Sequence, residues 1–352
     1  MKRWTAILMV LWLLIPVCQA EDMEVSGLDQ LWDQAEQYDI EPETQLDQGL
    51  RNLGTKVLAQ GTQLLRRSVQ VGVELLAVIL CCGLAEGACI QKNALSATRL
   101  AGSLAVTVLS VNSMDAMIGL GRDTIGKMDE FSALLLPVVA MLTAATGHAT
   151  SAAVRQGATV LFTQLLIRLI DQLLIPMVYA YIAACCAYAA VGNEGLKKLS
   201  GALKGLVTMI LTTVLLAFVA YLTVSGAIAG SADAAAVKAA KMAISRTVPV
   251  VGGILADAAE SVLVGAGVLR GSVGVVGLLV VLSICIGPFL QLALHYLTYK
   301  WTAALTGTVA EARLSGLLDS IGGAFGLVLG MTGACALLLL FSIVSAVSAV
   351  AG

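Results

Sequence analysis

The sequence predicts an all-α, polytopic helical membrane protein of about seven spans, with a short external helical segment. Three observations carry this. The hydrophobic fraction is 58% and the charged fraction 12%, where a soluble domain carries roughly 25% charged residues. Mean hydropathy is +0.90. Five stretches hold no Asp, Glu, Lys or Arg and are long enough to span: Phe131–Val154, Gln172–Asn193, Gly205–Ala232, Gly271–Tyr299 and Ser320–Gly352. A span needs about 20 residues, and in lipid the backbone must bond internally, as a helix or a closed barrel. Barrel strands alternate polar and apolar residues; these runs are continuously apolar. The composition also excludes a soluble enzyme and a disordered chain. The net charge of −2 lacks the basic patch of a nucleic-acid binder.

The elements follow in order. Residues 1–20 place Lys2 and Arg3 before an apolar run, Ala6–Val17, and the small residues Cys18 and Ala20. That is the pattern of a signal peptide cleaved after Ala20, or of an uncleaved anchor helix. Residues 21–68 are the one substantial hydrophilic region, with ten acidic and no basic residues from Glu21 to Asp47. Following a translocated segment, they are expected outside the cytoplasm. Leu28, Leu31, Trp32 and Ala35 recur at helical spacing, and after Pro42 the period continues through Leu46, Leu50, Leu53, Val57 and Leu64. These read as surface-lying amphipathic helices or as a docking segment for an external partner.

Residues 69–352 form the expected membrane domain. Val69–Ile90 and Ala94–Ile118 are marginal spans interrupted by Glu74, Glu86, Arg99 and Asp115. Val248–Leu269 carries Asp257 and Glu260, so the topology around 231–270 stays open. Basic clusters at Lys197–Lys204 and Lys238–Arg246 flank one clear span and cannot both be cytoplasmic; the first is preferred. An internal repeat of units 131–230 and 243–348 is suggested by Pro137-Val138-Val139 and Pro249-Val250-Val251. Each triplet is followed 39 residues later by another proline, Pro176 or Pro288. Transporter folds carry such weak repeats.

Polar groups inside apolar segments are costly, which singles out His148, Arg168, Asp171, Asp257 and Glu260. His148 and Glu260 occupy equivalent repeat positions, as a pathway lining would; hydrated helix ends are the plainer reading. Arg168 and Asp171 are spaced to pair on one helix face. Gly322, Gly326 and Gly330 make two overlapping small-xxx-small steps, which allow close helix packing. Apart from Cys18, seven cysteines lie in apolar segments without C-x-x-C or histidine spacing, so they read as packing residues rather than zinc ligands. No phosphate-binding glycine loop or histidine triad is legible. The sequence therefore predicts no enzyme, catalytic residue, metal or cofactor; active work would need a separate ATPase subunit.

The order of signal peptide, acidic external region and polytopic body, together with PVVGGILADAAESVLVGAGVLRGSVGVVGLLVVLSICIGPFLQLALHYLTYKWTAALTG at Pro249–Gly307 and LSGLLDSIGGAFGLVLG at Leu314–Gly330, resembles the stage III sporulation protein AE family of endospore-forming bacteria. Arg270-Gly271 departs from the basic-polar pair expected there. The resemblance implies a multi-pass protein of the mother-cell membrane around the forespore. It would work with the other stage III sporulation A-operon proteins and stage II sporulation protein Q. Their assembly is a secretion-like channel, or feeding tube, needed after engulfment. The competing reading is a stand-alone secondary transporter with a midplane site built from His148, Asp257 and Glu260.

Overall fold

A computed structural model describes residues 28–41, 44, 46–88, 92–145, 149–224, 272–308 and 312–351. The described elements are helical, with no strand among them: α1 (Leu28–Glu36), α2 (Leu46–Ala88), α3 (Lys92–Ala145), α4 (Ala149–Leu169), α5 (Ile175–Val191), α6 (Glu194–Val224), α7 (Ser272–Thr306) and α8 (Ala312–Ala351). A π-helical turn, Ile170–Leu174, joins α4 to α5 without a loop. Among the described residues, six segments are long and apolar enough to cross a membrane: Leu46–Ala85, Ala97–Val139, Thr159–Val191, Glu194–Tyr221, Val273–Thr306 and Ala312–Val344. Residues 231–270, where the sequence leaves the topology open, lie outside the described residues.

The short helix α1 forms on the expected face, burying Leu31 and Ala35. The turn that follows it reaches Asp39, whose left-handed backbone (φ 59°) suits a short polar side chain. The expected division at residues 68/69 falls inside α2. One face of α2 stays against α7 across this division, with Gly49 on Leu279, Gly61 on Leu290 and Gly72 on Thr298, while Leu50 points outward. Pro137 lies inside α3, Pro176 in the first turn of α5 and Pro288 inside α7; Pro249 is outside the described residues.

The core is α8. Of its most apolar stretch 94% is buried, against 22% for α6, so α8 is apolar all round because protein surrounds it. It packs on α7 and α3 most extensively, and on α4, α5 and α6. Contacts fix the relative heights. Gly322 lies against Tyr299 of α7, and Gly121 of α3 against Val328 of α8. On the other side Gly323 lies against Lys204 of α6, and Phe218 of α6 stacks edge-on with Phe341 of α8 at 6.0 Å. The outer helix α2 packs on α7, with Gly49 beside Leu279 and Gly61 beside Leu290. Thus α2 residues 49–61, α3 residues 121–130 and α6 residues 204–218 all flank the uncharged length of α8.

The α5–α6 hairpin is closed by local chemistry. Gly192 caps α5 with a left-handed backbone (φ 74°), its N–H bonding Tyr188 O. Asn193 Oδ1 accepts from Gly195 N at 2.8 Å, an N-cap bond that opens α6.

Candidate functional site

Three polar contacts form a ladder between α3 and the antiparallel α4–α5 rod. Tyr179 Oη donates to Asp115 Oδ1 at 3.0 Å. Arg122 Nε donates to Asp171 Oδ1 at 2.9 Å, and Gln164 Nε2 to Asp129 Oδ1 at 2.8 Å. The α3 rungs recur every seven residues, two turns of helix, and so share one face. On the partner rod the steps are seven and eight residues. The π turn at Ile170–Leu174 holds the additional residue and keeps Tyr179 on the seam; π bulges recur at functional positions. Ile170 and Leu174 are buried beneath it, and that packing holds Asp171 facing Arg122.

This arrangement corrects the expected Arg168–Asp171 pair. Asp171 bonds Arg122 of another helix, and Arg168 is exposed three residues away. Their spacing allowed a pair on one face, but the π turn changes the angular step at Asp171. His148, Asp257 and Glu260 lie outside the described residues. Gly322, Gly326 and Gly330 are all buried in α8. A Cβ on Gly322 would come within 3.2 Å of Tyr299 Cβ, so this glycine admits the backbone of α7.

The ladder continues as a hydrophilic surface. Asn112, Asp115, Gly119, Arg122, Asp123, Gly126, Lys127 and Glu130 make the exposed stripe of α3, with Lys127 paired to Asp123 at 2.8 Å. The outer face of α2 adds Asp47, Arg51, Thr55, Gln63, Arg66, Arg67 and Gln70. Lys56 bridges α2 to Asp39 and to the Tyr38 carbonyl behind α1. Burial pushes the Tyr38 phenol above its ordinary pKa, so it stays protonated. The exposed pairs, such as Arg122–Asp171 with 62% and 38% of their side chains accessible, contribute at most about 1 kcal/mol each in water. What they determine is the solvent: this surface fits water and repels hydrocarbon.

A second polar cluster sits where the α5–α6 and α7–α8 hairpins meet. Lys300 Nζ bonds Asp319 Oδ1 at 2.6 Å, and Tyr181 Oη donates to Ser320 O at 2.9 Å. Lys204 and Tyr181 fill the space beside Gly323, and Arg313 lies over Gly192. Lys300 and Asp319 close off the two apolar stretches of α7 and α8, so the pair marks the ends of those stretches.

Sequence reasoning missed Asp115, Arg122 and Asp129, having read Asp115 as an interruption and residues 119–130 as outside any span. The signal was present in their seven-residue spacing. Their partners lie 35 to 64 residues away and could not be paired from one sequence.

No solved structure matches this chain. The stage III sporulation protein AE of Bacillus subtilis (strain 168) is 24% identical over 220 residues, covering 62% of this chain and 55% of the relative. The alignment thus spans about half the relative's length. The family described as stage III sporulation protein AE matches residues 43–350, nearly the whole helical body and both α3 and α8. A multi-pass helical protein matched over that length belongs to the stage III sporulation protein AE family.

Proposed function

We propose that this chain is the multi-span subunit of a secretion-like channel, a feeding tube between mother cell and forespore that is required after engulfment. The observation that carries the reading is the polar ladder and hydrophilic stripe borne by helices long enough to cross a membrane. A subunit with only lipid around it has no use for Asp115, Arg122, Asp129 and Asp171 at that depth, because intramembrane charges are costly and collect at pathways. Family membership supplies the sporulation setting.

In this reading the chain is a passive subunit without catalytic residues, and a separate ATPase drives transport. It sits in the mother-cell membrane around the forespore. Its partners are the other stage III sporulation A-operon proteins and, across the gap, stage II sporulation protein Q. The signal peptide is removed after Ala20, and Glu21–Arg67 faces the space outside the cytoplasm. The end carrying Lys197, Lys198, Lys204 and Arg313 faces the cytoplasm, following the positive-inside rule.

Deletion of the gene tests the reading. Growth should be normal, engulfment should complete, and heat-resistant spores should be lost. A deletion strain that yields heat-resistant spores at the wild-type level overturns it.

A further inference from the structure

The surface has two unlike sides at one height. Beside α8 residues 323–341, α6 exposes Leu206, Met209 and Leu216, a lipid-facing set. Across the bundle, at the height fixed by the Gly49–Leu279, Gly61–Leu290 and Gly121–Val328 contacts, the exposed side chains are mostly hydrophilic, with Arg51, Thr55, Lys56, Arg122, Asp123, Lys127 and Glu130 around the exposed Leu50 and Leu58. Farther along the same two helices the character reverses. Beyond Glu74 α2 exposes Ala77, Cys81, Leu84 and Ala85, and before residue 112 α3 exposes Leu100, Leu104, Val108 and Val111. The hydrophilic zone therefore runs to the level of the Lys300–Asp319 pair, where Gly72 lies against Thr298 and Gly102 against Leu314, and stops there at an apolar collar.

We infer that the α1–α2–α3 face is the wall of a water-filled vestibule that enters the bilayer from the α1 side and is closed, at the level of the Lys300–Asp319 pair, by the apolar ends of α2 and α3. Water is the occupant that the chemistry selects: the face carries both signs of charge, largely in exposed pairs, and burying it in hydrocarbon would cost every one of those groups its solvation. Lys56, bonded behind α1, places the acidic helix at the vestibule's edge, where Asp29, Asp33 and Glu36 face outward. The inference rests on the reading of the chain as a subunit of a membrane assembly, whose other members keep lipid off this face.

The test is thiol labelling in native membranes with all partners present. The native cysteines are replaced by alanine, and single substitutions Thr55→Cys, Gln63→Cys, Asn112→Cys and Glu130→Cys are compared with Leu206→Cys, Met209→Cys and Leu216→Cys. Two positions per helix allow for a variant that fails to reach the membrane, and labelling after denaturation gives the total thiol. A small charged maleimide should label the α2 and α3 positions at least about tenfold faster than the α6 positions, because only a hydrated cysteine forms the reactive thiolate. The same maleimide carried on a bulky polymer should label neither set, since the vestibule is enclosed. Equal rates on the two sides overturn the inference, as the face is then covered by lipid or dry protein. Rapid labelling of α2 and α3 by the polymer reagent also overturns it, because the face then lies in bulk water. The expected pattern in a strain whose deletion spares sporulation would retain the vestibule and remove the channel role.

Discussion

The α6 side and the α1–α2–α3 side of the bundle flank the same buried rod, yet they present opposite chemistry. On α6 the residues that point outward are Leu206, Met209 and Leu216; on α2 and α3 they are Arg51, Lys56, Arg122 and Lys127. The difference shows that length and average hydropathy identify a helix able to cross a membrane without saying what each side of it meets. In α2 and α3 most apolar residues lie on the buried side or at one end of the exposed surface, with Leu50, Leu58, Leu65, Val69 and Val73 exposed among the polar residues of α2. In α6 they continue around the helix.

The most damaging way to break this contrast is to put a charge on the lipid side. Leu216→Arg should lower the amount of folded protein recovered from the membrane severely, a mid-bilayer cation costing about 2.5–3.5 kcal/mol. Thr55→Arg, at comparable height on the other side, should leave recovery unchanged. Quantitative immunoblotting of membrane fractions checks both, and equal loss from the two variants would erase the distinction between the sides.

Packing beneath the hydrophilic stripe comes next. A Cβ on Gly121 collides with Val328 of α8, whereas one on Gly126 meets nothing within 4 Å. Gly121→Leu should therefore destabilise the bundle by about 1–3 kcal/mol, while Gly126→Leu should be tolerated. Thermal unfolding in mild detergent separates the two, and similar melting points would mean that α3 does not seat on α8 at this glycine.

The ladder itself should give a smaller effect. Arg122→Asp should cost about 1 kcal/mol or less, and adding Asp171→Arg should recover much of it by restoring the pair with its charges exchanged. The same unfolding assay measures the coupling; strict additivity of the two changes would show that the pair carries none. The smallest effect belongs to Lys56→Gln, a few tenths of a kcal/mol for an exposed bridge. It is best detected as faster proteolysis of the chain around Tyr38, with no change in melting.

Much of this architecture was legible in the sequence. Continuous apolar runs marked α7 and α8, since a rod surrounded by protein and a rod surrounded by lipid need the same residues. Leu31 and Ala35 at helical spacing marked α1 and its buried face. The polar seam was not legible, because Arg122 and Asp171 are 49 residues apart and only the fold brings them together. The π turn was equally hidden: Ile-Asp-Gln-Leu-Leu contains no proline or glycine to announce a change of helical step. The continuity of α2 through residue 68 was missed for a related reason. Its composition turns from polar to apolar there, while the face it lays on α7 does not change.

The position of α8 also has a consequence in time. Val328 is made about 200 residues after Gly121, which it must meet, so at ~5–20 residues per second the α3 surface waits on the order of 10–40 s for its partner. During that interval α3, α5, α6 and α7 present small-residue and aromatic surfaces with no rod between them. An insertion machinery that shelters these helices until α8 arrives would set the yield of the whole bundle, and a slow codon run between α7 and α8 would lower that yield without altering any residue.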